Sequence, residues 1–154
     1  MQKELSVLES IKRLRGLSNG AVGSELEALT TKNLLVVEAH KGFLLCNLII
    51  PNTVADRDGN WHVGAIATLI DNVGSAAIYS DTASVPVSVD FSISFYSTAK
   101  VQEEVELKAT VVGKKEKLTS VVVEISKTRN GELIAVGKQW MASTNSNAYH
   151  ASKL

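Results

Sequence analysis

The segment from Asn60 to Tyr79, N-W-H-V-G-A-I-A-T-L-I-D-N-V-G-S-A-A-I-Y, constrains the fold more than any other part of the chain. It is proline-free, largely apolar all round, and long enough for one helix of about five turns. A helix of this kind has to be buried. It also carries one acid, Asp71, among Leu69, Ile70 and Val73. A carboxylate so placed costs free energy unless it is solvated, paired or put to chemical use.

The flanking segments say what buries the helix. Leu34 to Ala39 and Phe43 to Ile50 are β-branched or large and apolar, and Lys41-Gly42 between them suits a tight turn, so they read as a hairpin. Pro51 ends it, and a polar loop runs to Asn60. After the helix, Val85, Val87, Val89, Phe91, Ile93 and Phe95 alternate with polar residues, which predicts a strand with one buried and one polar face. Val105, Leu107, Ala109 and Val111 alternate in the next. Leu118 to Ile125 and Leu133 to Met141, joined around Asn130-Gly131, supply two more. Ahead of all these, Leu5, Leu8, Ile11 and Leu14 recur near a period of 3.6 and predict a first helix over residues 3–15. Ser24 and Glu27 have the spacing of a capping box for a second. The order is that of an α+β fold with a mainly antiparallel sheet of about six strands wrapped around one long central helix.

With 154 residues the chain has the length of one domain. The expected division is an N-terminal helical segment over 1–32, the sheet-and-helix domain over 33–143, and a polar tail over 144–154. Sixteen basic and sixteen acidic residues cancel, so no net field draws the protein to nucleic acid. One cysteine excludes an internal disulfide framework, and three scattered histidines leave no zinc-ligand spacing, so no metal is expected. Cys46, within an apolar strand, reads as a packed thiol. No apolar run reaches the ~20 residues of a membrane span, and the sequence reads as soluble and not secreted. The terminal Ser152-Lys153-Leu154 is the address read by the peroxisomal import receptor, so that receptor is an expected partner and the peroxisome the expected location, with the cytoplasm as the alternative.

If the long helix begins near Val63, then Gly64, Thr68, Asp71, Asn72 and Ser75 share one stripe, a polar seam. Taken alone, such a seam also fits a solvent face or a subunit contact. The helix start has its own chemistry: its first backbone N–H groups lack helical partners and sit at the positive end of the dipole, so the amides of Val63 and Gly64 can polarise a carbonyl oxygen. Val63 and Asp71 are nevertheless eight residues apart, which is about 12 Å along the axis. They cannot act on one carbonyl carbon from the same chain. A two-fold axis that sets the helix start of one subunit opposite Asp71 of the other would complete the site, so a homodimer with shared sites is expected.

The residues H-V-G-A-I-A-T-L-I-D-N-V-G-S-A-A-I, followed by V-S-V-D-F-S-I-S-F-Y and L-I-A-V-G-K, resemble the hotdog-fold acyl-CoA thioesterases of the phenylacetate-type and thioesterase-superfamily-member-2-like group, over roughly 34–141. The resemblance implies a hotdog fold, a homotetramer as a dimer of dimers, and an enzyme that hydrolyses an acyl-CoA, fatty or aromatic, to the free acid and coenzyme A without a cofactor. It implies that His62 shapes the loop before the helix, that the Val63 amide, with Gly64 beside it, holds the thioester oxygen, and that Asp71 is general base or nucleophile. Ser88 matches the residue that orients the attacking water beside that aspartate, which members of the family present from the partner subunit. Gly113, Lys114, Lys115 and Lys117 fall on the turn that receives the phosphates of coenzyme A, where lysines serve as point charges; a solvated hairpin turn is the alternative.

Two positions depart from the family pattern. Val63 replaces the first glycine of H-G-G, which leaves the backbone donor in place. Asp56, among the catalytic candidates, stands six residues before His62 where close relatives carry an asparagine that hydrogen-bonds the thioester or water. A carboxylate donates only when protonated, so Asp58 or Asn60 is the alternative there. These departures keep a non-catalytic acyl-CoA or lipid-binding module, or a structural module, as rival readings.

Overall fold

A computed structural model describes residues 1–144. The chain runs α1 (Gln2–Ser18), α2 (Glu25–Thr31), β1 (Leu35–His40), β2 (Phe43–Ile49), α3 (Val63–Thr82), β3 (Val85–Phe95), β4 (Glu104–Lys115), β5 (Leu118–Lys127) and β6 (Leu133–Thr144), with a single 3-10 turn at Asn52–Val54. The six strands form one antiparallel sheet in the order β1-β2-β4-β5-β6-β3. The helix α3 packs against it.

Alternation builds the sheet side of the core. Val105, Leu107 and Ala109 of β4 and Val121, Val123 and Ile125 of β5 are fully buried. Leu69, Ile70, Val73, Ala77 and Ile78 bring the α3 side. Two glycines set how close these layers come. A Cβ at Gly137 of β6 would lie 2.5 Å from Ile70 Cγ2, and one at Gly74 of α3 would meet Val121 Cγ1 at 3.2 Å. At Gly137 the helix therefore sits nearer β6 than a side chain would permit without a shift, and at Gly74 the approach to β5 is tight.

The capping box at α2 forms in full: Ser24 Oγ accepts the Glu27 N–H, and the Glu27 carboxylate accepts the Ser24 N–H at 2.8 Å. Helix α1 differs from its sequence pattern. Leu5 and Leu8, expected to face inward, are exposed, and the buried face is Ser6, Ser10, Leu14 and Leu17. The reason is its partner. Helix α1 lies on α3, where the hydroxyls of Ser6 and Ser10 donate to the carbonyls of Ser80 and Ala76, each at 2.9 Å, and small residues let the helices approach.

Strand β3 also departs from its alternation. Among the described residues it is an edge strand paired only with β6, and a bulge between Ser88 and Asp90 changes the side-chain register at Val89. Ser88 thereby lies opposite buried Met141, and Phe91 opposite buried Gln139, so both share the helix-facing side. Val87, Phe91 and Phe95 are all more than a third exposed, so neither face of β3 is buried among the described residues of the single chain.

The packing at Gly137 yields a direct test. Gly137→Ala should lower the free energy of unfolding by ~1–3 kcal/mol through overpacking against Ile70, measured by urea denaturation; unchanged stability would show that the helix can retreat freely from β6.

Candidate active site

Helix α3 begins where the sequence places it, at Val63, with His62 as N-cap. His62 Nδ1 accepts the Gly64 N–H at 2.9 Å, so in the neutral ring the proton belongs on Nε2. A Cβ at Gly64 would lie 3.1 Å from that nitrogen, which explains the glycine two residues after the histidine. The Gly64 amide is thus taken by the cap. The Val63 amide has no hydrogen-bond partner among the described residues, and Val63 is exposed. It is the available donor at the helix start.

Two turns further on, Asp71 is only partly buried, as are Thr68 and Ser75 along the same seam, whereas Asn72 turns into the protein and is 8% exposed. Ser88 Oγ donates to Asp71 Oδ1 at 2.7 Å, and Gln139 Nε2 donates to the same oxygen at 2.7 Å. The β3 bulge is what brings Ser88 to this side. All three residues belong to one chain, so the Asp71–Ser88 pair needs no second subunit. Asp71 Oδ2 accepts no hydrogen bond from the described residues. The carboxylate is thus anchored by one oxygen and free at the other.

Asp71 and Ser88 open on a groove of about 490 Å³, also lined by Ser75 and Tyr79 of α3 and by Lys12 and Arg13 of α1. Neither His62, Val63 nor Gly64 lines it. The separation inferred from spacing is present in the fold: one chain brings together Asp71 and Ser88 but leaves the helix start elsewhere. Lys12, Arg13 and Gln139 escaped the sequence reading. For Gln139 a signal exists, since an amide interrupts the inward series Ala135, Gly137, Met141 of β6. For Lys12 and Arg13 there is none, because their place depends on how α1 docks.

Asp56 serves its own loop. Its Oδ1 accepts the N–H groups of Asp58 and Asn60 at 2.8 and 2.9 Å. The backbone hydrogen bond from Asn60, with smaller help from Asp58 and the charge of Lys100, holds its carboxyl below the usual carboxylate range. The basic turn is partly neutralised as well, because Lys114 pairs with Asp81 in the last turn of α3, and Lys41 joins at 3.4 Å. Lys115 and Lys117 are exposed. Cys46 is fully buried, and burial pushes its thiol up to about 12, which suits a packed core residue and not a nucleophile.

Residues 58–134 match the family model described as "Thioesterase superfamily", and human "Acyl-coenzyme A thioesterase 13" is 30% identical over 106 residues, 68% of this chain and 76% of the human protein. The chain belongs to the thioesterase superfamily. Its fold matches that of zebrafish thioesterase superfamily member 2, with a TM-score of 0.81 at 24% identity over 90% of this chain and 98% of that one. A hypothetical thioesterase from Streptococcus pneumoniae, crystallised with coenzyme A, matches with a TM-score of 0.70 at 19% identity over 74% of this chain and 88% of that one. The antiparallel sheet around a long helix in this thioesterase is the hotdog fold.

The Asp56 geometry predicts a pH-dependent loop. Because the folded carboxyl is depressed, its stabilising contribution is present above the unfolded carboxylate value, ~3.9, and is lost as pH falls through the lower folded value. At neutral pH, Asp56→Ala should speed hydrogen exchange of the Asp58 and Asn60 amides and lower Tm. Asp56→Asn, which keeps the Oδ1 acceptor but loses the charge, should fall between Asp56→Ala and wild type in both; equal exchange in the two variants would refute the tether.

Proposed function

We propose that this thioesterase hydrolyses an acyl-CoA thioester, fatty or aromatic, at a site shared between two subunits. The observation that carries the reading is the Asp71 carboxylate, fixed at Oδ1 by Ser88 and Gln139 with Oδ2 unbonded beside a groove. In this mechanism Oδ2 takes a proton from water as the water adds to the thioester carbonyl, or attacks that carbon itself to give a mixed anhydride that water then hydrolyses to the acid and free Asp71. The carbonyl oxygen gathers negative charge and rests on the Val63 amide at the partner's helix start, with His62 and Gly64 shaping that cap. The C–S bond then breaks, and coenzyme A leaves as its thiol after protonation. Ser88 orients the water and the carboxylate. Asp56 shapes the loop ahead of the helix and does not meet the substrate.

The assembly follows from the edge strand. Among the described residues the outer edge of β3 is unpaired, and Val87, Phe91 and Phe95 are exposed along it. An edge of this kind favours pairing, and pairing about a two-fold axis would join two sheets and cover these side chains. The dimers pair again as a homotetramer. For coenzyme A, exposed Lys115 and Lys117, with Gly113 beside them, contact the phosphates, while Lys114 keeps its partner Asp81. The naming of the human relative as an acyl-coenzyme A thioesterase and the coenzyme A in the streptococcal crystal support this substrate. The Ser152-Lys153-Leu154 signal lies outside the described residues, and we read it as directing the protein to the peroxisome through its import receptor.

Complementation tests the shared site. Asp71→Asn should lower the rate of free-thiol release from acyl-CoA by ~10²–10⁴-fold, and Val63→Pro, which removes the amide at a helix position that tolerates proline, by ~10²–10³-fold. Co-refolded in equal amounts, the two variants should recover about a quarter of the wild-type rate, since half the dimers carry one intact site of two. No recovery in mixed dimers would place the site within one chain, and acyl-CoA binding without turnover in wild type would favour a non-catalytic module. For the address, a fusion lacking Ser152 to Leu154 should remain cytosolic, and unchanged peroxisomal import would refute the signal.

A further inference from the structure

Gln139 is a costly residue for the fold to keep. Its side chain is on the helix-facing side of β6 and only 1% exposed, and its Oε1 is buried with no hydrogen-bond partner among the described residues. A buried acceptor left unpaired opposes folding. The surroundings nevertheless accommodate the amide: Gly74 faces it from α3, where a Cβ would lie 3.1 Å from Oε1. An apolar side chain of the same length would fill this space without leaving an acceptor unpaired.

The amide nitrogen accounts for the residue. Nε2 reaches Asp71 Oδ1 at 2.7 Å and Ser88 Oγ at 3.3 Å, so it ties together the two polar residues at the groove. The orientation is set by chemistry, since rotating the amide would turn Oε1 towards an anionic oxygen. The two donors to Asp71 Oδ1 differ in rigidity. Ser88 is an exposed residue on a bulged edge strand, and its hydroxyl rotates; Gln139 belongs to β6, which is paired on both sides and covered by α3.

We propose that Gln139 is a positioning residue: with Ser88 it clamps Asp71 Oδ1, so that the carboxylate plane is fixed and Oδ2 is held ready for the thioester. This rests on the reading of Asp71 given under Proposed function. Gln139 does not touch the reacting atoms and acts through Asp71 alone. The unpaired Oε1 is the cost of holding Nε2 in place.

Gln139→Met keeps length and flexibility but removes the donor. Its kcat should fall about 10- to 100-fold, as expected for a misplaced reacting group, with KM within about twofold and Tm equal to or above wild type. In an Asp71→Asn background the same change should cause no further loss, because the residue it positions is already disabled. A lower Tm with kcat unchanged, or an additive loss in the double variant, would overturn the proposal. A second measurement needs no Gln139 variant: the side-chain amide resonances of Gln139 should move and exchange faster in Asp71→Ala, and unchanged resonances would also overturn it. If Asp71→Asn hydrolyses acyl-CoA at the wild-type rate, the catalytic reading of Asp71 fails, while the resonance measurement still reports separately whether the clamp exists.

Discussion

The contact between α3 and strands β5 and β6 is the one on which the remaining structure depends. Ile70 meets Gly137 of β6 there, and it, Leu69, Val73 and Ile78 of the same helix are buried, each burial contributing roughly 1.5–3 kcal/mol. Gly137 and Gly74 allow the close approach that makes it possible. The sum outweighs the few kcal/mol of placing a carboxylate and an asparagine on the same helix. Asp71 is tolerated at this place because the apolar face does not need it, and because two donors satisfy one of its oxygens.

From that contact the site is built outward in steps. Fixing α3 on the sheet fixes Asp71 relative to β6, and so brings Gln139 within reach. The bulge in β3 then turns Ser88 to the same side. The docking of α1 through Ser6 and Ser10 closes the groove from above the helix and supplies Lys12 and Arg13 to its lining. The helix start stays outside this arrangement, capped by His62, with the Val63 amide unbonded among the described residues. Groove and helix start are separate surfaces of one rigid element, and that separation is why the proposed chemistry requires two chains.

Local signals were legible where local forces decide. The start of α3, the capping box at Ser24 and the hairpin at Lys41-Gly42 follow from dihedral preference, end-capping and hydrophobic period, all short-range effects. The face of α1 was misread because Leu5 and Leu8 outweigh two serines in any hydrophobic pattern, although hydroxyls that bond to a neighbouring helix can bury closely. The register of β3 was misread because a one-residue bulge leaves no mark on an alternating sequence. At Asp56 two amides of its own loop bond to Oδ1, a contact set by the fold of that loop and not announced by any hydrophobic period.

By itself the sequence determined the element order, the central helix with Asp71 on its polar seam, and the distance along that helix which keeps its start and its acid apart. These are properties of covalent spacing and of a fixed rise per residue. Only the tertiary structure decided which groups meet the acid. Ser88 and Gln139 are 17 and 68 residues from Asp71 along the chain. They reach one oxygen because strand pairing, a bulge and two glycines set their positions to within a hydrogen-bond length. Such placement depends on packing among distant segments, which no local pattern encodes.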